Sequence, residues 1–169
     1  MMMGCLRDGG MNALFDTERD SLIAKMEEEA GYKINESLYE LDPHDFNDPK
    51  FRDANEGSLI KMIAPGITGH ARHGDKCVFM LRDYDEITQS HERAMLGTVM
   101  YTRDQFESMI ASTIGNLKAF KVDVTVFWYR AAVDNPKLHF KILKEAGWPI
   151  DVDQAAEGVK PEMCRFKAA

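Results

Sequence analysis

The chain has 169 residues, of which 44% are hydrophobic and 29% charged, and its formal net charge at pH 7 is −7. This length and composition are typical of one globular domain and exclude disordered and fibrous proteins. Because the longest apolar runs are far shorter than the roughly 18 to 20 residues that cross a bilayer, membrane-spanning helices are excluded as well. We expect a flexible tail over residues 1–10 and a single folded domain over residues 11–169.

The negative charge is concentrated at the start of the chain. Residues 1–60 contain 6 basic and 14 acidic side chains, whereas residues 61–169 contain 15 and 14. General nucleic-acid binding is not expected, because phosphate neutralisation requires a clustered basic surface. The acidic first third, which includes Glu27, Glu28 and Glu29, is interpreted either as a solvated face or as a surface for a basic protein partner.

The cysteines Cys5, Cys77 and Cys164 are odd in number, far apart and without a CxxC pair. They therefore predict neither a disulfide framework nor a cysteine-rich zinc site, and they favour a reducing, cytoplasmic environment. Cys77 begins an apolar run and is interpreted as a small buried hydrophobic residue.

The first predicted element is an amphipathic helix that Asp16 or Thr17 caps and Gly31 ends. Its apolar residues at helical spacing are Leu22, Ile23, Met26 and Ala30. The stretch from residue 32 to residue 57 carries prolines beside Asp and Asn, which predicts mostly turns.

Three apolar runs then predict strands, "SLIKMIA" at 58–64, "CVFMLR" at 77–82 and "LGTVMY" at 96–101. The loop between the first two is short enough for antiparallel neighbours. All three runs are apolar on both faces, which is typical of a sheet covered by helices.

The second half of the chain carries the clearest signals. Thr102 and Gln105 form a capping-box pattern before a long helix over 103–120. The alternating stretch "VDVTVFWYR" predicts a strand, and Asn135 with Pro136 begins a helix that Gly147 ends. A final strand is predicted near residues 163–166.

Together these elements predict an α+β fold. We expect a single domain with a mixed sheet of four to five strands packed with about three helices. The succession of strand, helix and strand within residues 96–147 predicts a parallel crossover.

The loop "APGITGHARHGDKC" is the first candidate site. Its glycines leave backbone N–H groups accessible and permit positive φ. Side chains that donate hydrogen bonds surround them, and together they predict a site for a phosphate or carboxylate; these are Thr68, His70, Arg72, His73 and Lys76. The other interpretation is a solvated connection, since the spacing of a P-loop is absent.

Metal sites are the alternative. His70 and His73 have an HxxH spacing that zinc uses, although a third ligand from Cys77, His91 or Glu92 would be required. The segment after "CVFML" places carboxylates at the end of a strand, where Mg²⁺ for phosphoester hydrolysis is often held. The residues for that site are Asp83, Asp85, Glu86 and His91.

Two functions follow from these features. The first is a small acidic intracellular binding or regulatory protein, such as an inhibitor, that occupies a protein partner or an anionic, phosphate-bearing ligand without a cofactor. The alternative is a small metal-dependent phosphoester hydrolase using Mg²⁺ or Zn²⁺. We favour the binding protein because no set of nucleophile, base and orienting residue can be assembled from the sequence.

Overall fold

The computed structural model describes residues 1–14, 21, 25, 48–62, 64, 66–94 and 101–159, without the side chains of residues 90–94. The elements in chain order are α1 (Met2–Asp8), α2 (Pro49–Ala54), a 3₁₀ turn (Gly66–Gly69), β1 (Lys76–Leu81), α3 (Tyr84–Ala94), α4 (Arg103–Ala119), β2 (Asp123–Trp128), α5 (Tyr129–Asp134), α6 (Pro136–Glu145) and α7 (Val152–Glu157). Three predicted elements lie mostly or wholly outside the described residues. They are the helix capped at 16 or 17, of which only residues 21 and 25 are described, the strand "LGTVMY" apart from its last residue, and the strand near 163–166.

The sheet in the described part of the chain has two parallel strands. Their register pairs Lys76 with Asp123 at one end and Leu81 with Trp128 at the other. Helices α3 and α4 lie in the connection between the strands. The predicted mixed sheet of four to five strands with about three helices is therefore wrong, since these residues form two strands and seven α-helices.

The run "SLIKMIA" accounts for part of this difference. Leu59 makes an isolated parallel bridge with Ala13 rather than belonging to a strand. Two backbone hydrogen bonds hold the bridge, from Leu59 to the Asn12 carbonyl at 2.7 Å and from Leu14 to the Leu59 carbonyl at 3.0 Å. A short apolar run indicates burial, but its periodicity cannot establish that a partner strand continues beside it.

Each face of the two-stranded sheet packs against a separate hydrophobic cluster. Phe127 of β2 belongs to a cluster with α1, α6 and α7, in which Leu143 is fully buried. Cys77 and Phe79 of β1 pack on the opposite face with Leu117 of α4. Packing on both faces explains why β1 is a continuous apolar run, whereas β2 alternates and leaves Val126 and Trp128 exposed.

The predicted starts of α4 and α6 are confirmed by their capping hydrogen bonds. Thr102 accepts a hydrogen bond from the Gln105 backbone while the Gln105 side chain accepts one from the Thr102 backbone, which is a complete capping box. Asn135 caps α6 by accepting from the Leu138 backbone, and Pro136 occupies the first turn.

The first ten residues differ from the flexible tail expected for them. Met2–Asp8 is a helix, in which Cys5 is fully buried and Leu6 is 2% exposed. The helix packs on α7, where the Asp151 backbone donates a hydrogen bond to the Gly9 carbonyl at 2.9 Å. Tertiary contact explains this helix, because seven residues are too few to be helical alone.

Candidate functional site

The glycine-rich loop is held in place by Arg52 of α2. The Arg52 guanidinium donates to the His70 carbonyl and to the Asp75 carboxylate, the latter at 3.1 Å. The same Asp75 oxygen accepts from the Arg72 backbone at 2.7 Å, which closes a turn over residues 72–75. With only 16% of its side chain exposed, Arg52 is a structural anchor for this loop.

The loop lies against the corner where α4 leads into β2. Gly74 donates its backbone hydrogen bond to the Lys121 carbonyl at 3.3 Å, and Asp123 donates to the Asp75 carbonyl at 2.9 Å. Gly74 and Lys121 both have positive φ, 89° and 57°. These two hydrogen bonds hold residues 74–75 beside residues 121–123.

This arrangement joins two backbone segments that carry four exposed basic side chains, which we call the basic corner, Arg72, His73, Lys118 and Lys121. The acidic residues beside them are already neutralised. Asp75 pairs with Arg52 at 3.1 Å, and Asp123 pairs with Lys76 at 3.1 Å. Among the described residues, no carboxylate pairs with any side chain of the basic corner, so its positive charge is directed to solvent.

The five predicted anion-binding residues are divided by the structure. Arg72 and His73 belong to the basic corner, while Thr68 and His70 are half-buried in and just after the 3₁₀ turn. Lys76 bonds to Asp123 and to the Ala146 carbonyl, the latter at 2.5 Å, so its ammonium already has two partners. Lys118 and Lys121 were missed, because their sequence distance from the loop hides the contact.

A second charged cluster lies at the opposite, carboxyl end of the two strands. Glu86 is only 7% exposed and accepts from Arg130 at 2.7 Å, with Arg82 3.6 Å away. The Arg82 guanidinium also stacks over the Tyr129 ring at 4.6 Å. A buried carboxylate requires such pairing, so both arginines are committed to neutralising Glu86.

The carboxylates predicted to hold Mg²⁺ are engaged in other contacts. Asp83 accepts from the Asp85 backbone at 2.8 Å and so caps α3. Asp85 pairs with Arg103 at 2.7 Å, and Glu86 pairs with Arg130, also at 2.7 Å. His91 lies in α3, and its side chain is outside the described atoms. In the parts of the chain that are described, no three His, Cys, Asp or Glu side chains are grouped to hold a metal.

Cys77 is a poor partner for His70 and His73 in a zinc site. It is buried in β1, and burial together with the nearby Asp75 raises the pKa of its thiol to about 11. Its side chain packs in a hydrophobic cluster with Phe79 and Leu117. This supports the interpretation of Cys77 as a hydrophobic core residue.

The described residues also border a cavity of about 1190 Å³ beneath the loop. Its lining is rich in methionine, with Met1, Met2, Met3, Met11, Met62, Met80 and Met109. Flexible, polarizable thioether side chains adapt to apolar groups rather than to anions. The exposed cations of the basic corner, not this cavity, therefore carry the anion-binding hypothesis.

The acidic surface predicted for the first third is mostly outside the described residues, including Glu27, Glu28 and Glu29. No helix among the described residues has the length and apolar character needed to cross a membrane. The chain matches no protein family, and comparison with curated proteins and with solved structures finds no significant match.

Proposed function

We propose that this protein is a binding protein that holds a small phosphate-bearing anion at the basic corner. The observation that carries the proposal is the hydrogen bond from Gly74 to the Lys121 carbonyl at 3.3 Å. It brings side chains from two distant segments to one surface, and the acidic neighbours of that surface are already paired with Arg52 and Lys76.

The chemistry of the corner suits a phosphate. Arg72 offers a guanidinium fork that can donate two parallel hydrogen bonds, and the lysines add point charges. The end of α4 does not oppose an anion strongly, because the carbonyls of Asn116, Leu117 and Lys118 accept hydrogen bonds from Phe120, Val122 and Lys121. These bonds satisfy carbonyls that would otherwise form the negative end of the helix.

The charge balance supports a small ligand rather than a long polyanion. The whole chain carries −7, whereas the basic corner holds three formal positive charges from Arg72, Lys118 and Lys121. A local cluster attracts a phosphate over about one Debye length, roughly 8 Å at physiological salt. We place this binding activity in the cytoplasm, in keeping with the odd, widely separated cysteines.

Binding has more support than phosphoester hydrolysis. Arginine side chains already engage Asp85 and Glu86 at 2.7 Å. A magnesium ion held by these carboxylates would have to replace those guanidinium groups and leave Arg130 beside a second cation.

The first prediction tests the corner with inorganic phosphate and ribose 5-phosphate as probes. Replacing Arg72 or Lys118 with alanine should weaken the binding of both probes about fivefold each, since an exposed ion pair contributes up to about 1 kcal/mol. Isothermal titration calorimetry at low salt measures the affinities. The melting temperature should stay nearly constant, because both side chains are exposed.

The matched control is Lys144→Ala, which removes one exposed positive charge from α6. It should leave the affinity for both probes unchanged. Equal weakening by all three variants would show a nonspecific charge effect and would overturn the assignment of the corner. Failure of the unaltered protein to bind either probe would overturn the proposed function.

A further inference from the structure

Phe120 is the large apolar side chain closest in sequence to the basic corner. It follows the last residue of α4, directly before Lys121 and two residues after Lys118, and it is 52% exposed. A single exposed apolar residue is common and carries no weight by itself. Its position beside the cations of a proposed phosphate site is the informative feature.

Exposed aromatic rings beside cationic groups are how proteins bind nucleotides without reading their sequence. The ring stacks on the base, while arginine and lysine contact the phosphate. Phe120 and Lys121 are adjacent in the chain, with Cα atoms about 3.8 Å apart, and both side chains are exposed.

We infer that the ligand of the basic corner is a nucleoside monophosphate. Its phosphate lies against Arg72 and Lys121, and its base stacks on the exposed ring of Phe120. This inference rests on the proposed function and adds the base as a second recognition element. The phosphate supplies the charge that the corner requires, and the base occupies an apolar surface that inorganic phosphate leaves in water.

The geometry favours a mononucleotide over a polynucleotide. Trp128, another exposed aromatic residue of the described chain, is 58% exposed and ends β2. It lies five residues beyond Asp123, roughly 16 Å away at the rise of an extended strand. Between them the strand presents no cation, since residues 124–127 are Val, Thr, Val and Phe. A continuous strand of nucleic acid therefore has no track of paired phosphate and base contacts here.

The second prediction compares two probes that differ only by the base. Adenosine 5′-monophosphate should bind the unaltered protein at least about fivefold more tightly than ribose 5-phosphate, because stacking of one base contributes this much or more. Phe120→Ala should abolish this preference and leave the affinity for ribose 5-phosphate unchanged. Phe120→Trp should retain the preference, because indole also stacks on a base. Calorimetric titrations measure all the affinities.

Leu138→Ala is the matched control, since Leu138 is 49% exposed on α6. It should keep the preference for the nucleotide. Equal affinities for the two probes in the unaltered protein would overturn the nucleotide inference while leaving phosphate binding at the corner intact. A preference that survives Phe120→Ala would overturn it as well. Absence of binding by both probes would overturn the inference together with the proposed function.

Discussion

At the scale of single residues, Lys76 shows how tertiary partners change a role predicted from sequence. Its place in a glycine-rich loop predicts a ligand contact, yet its ammonium bonds to Asp123 on β2 and to the Ala146 carbonyl after α6. Lys76 therefore joins the first residues of both strands to the end of a helix. A lysine with two close partners is less available to a ligand than Arg72, which extends from the same loop into solvent.

The third prediction concerns Cys77 and pH. Burial raises the pKa of this thiol from about 9 to about 11. Between these values the unfolded chain loses the proton and the folded protein keeps it, so the free energy of unfolding falls as pH rises. The slope for one thiol is at most about 1.4 kcal/mol per pH unit.

Urea unfolding between pH 8.5 and 10.5 measures this slope. Cys77→Ala should unfold with a shallower decline, because one titrating group is removed while Cys5 remains in both proteins. Parallel declines in the two proteins would show that Cys77 does not titrate with the pKa that its burial implies.

At the scale of elements, capping side chains begin several of the helices, and small residues allow two of them to pack closely. Asp151 begins α7, because its side chain accepts a hydrogen bond from the Gln154 backbone at 2.9 Å. The close approach of α1 and α7 depends on glycine. A Cβ at Gly9 would lie 3.0 Å from the Ala155 Cβ and 3.1 Å from the Asp151 carbonyl oxygen.

The fourth prediction compares two glycine substitutions. Gly9→Ala should lower the free energy of unfolding by about 1 to 3 kcal/mol, because overpacking forces α1 away from α7. Gly115→Ala should raise it by about 0.5 to 1 kcal/mol, since Gly115 is in α4 with open space around it and alanine favours the helix. Chemical denaturation measures both. If both variants were stabilised, the two helices would not pack as closely as the structure places them.

At the scale of the whole molecule, the sheet is the element that joins the two hydrophobic clusters. Phe127 belongs to one cluster with residues of α1 and α7, and Cys77 with Phe79 packs with Leu117 of α4 on the other face. The two strands alone could not be stable, since a two-stranded sheet needs packing on its faces. The first helix therefore contributes to the core that supports β2.

The fifth prediction is that deleting residues 1–10 destabilises the protein by about 3 kcal/mol or more. Cys5 and Leu6 are 0% and 2% exposed, and burial of one leucine contributes about 1.5 to 3 kcal/mol. Urea unfolding of the shortened chain measures the loss, and Leu6→Ala should reproduce a large part of it. An unchanged midpoint after the deletion would mean that α1 contributes nothing to the core.

The parts of the fold that could be predicted are those that neighbouring residues determine. The capping box at Thr102 lies within one turn of α4, and the alternation of Val124, Val126 and Trp128 lies within one strand. Helices α1, α2, α5 and α7 were missed because six or seven residues carry too little periodicity to be recognised. Helix α3 was missed although it has eleven residues, because its charged segment was interpreted only as a set of carboxylates after a strand.

The candidate site was predicted only in part, for a related reason. Arg72 and His73 are close together in the sequence, whereas the segment that carries Lys118 and Lys121 meets the loop where Gly74 donates a hydrogen bond to the Lys121 carbonyl. Likewise, Arg130 meets Glu86 across 44 residues of chain. No spacing rule connects positions so far apart.

The sequence by itself determined β1, α4, β2 and α6, with the caps of both helices, because hydrogen bonds and side-chain periodicity within each segment are sufficient to specify them. Tertiary structure alone decided that β1 and β2 pair in parallel, that the first helix is buried, and which charged side chains are paired. Ion pairing and burial depend on which distant segments meet, and that is determined by the packing of the whole chain.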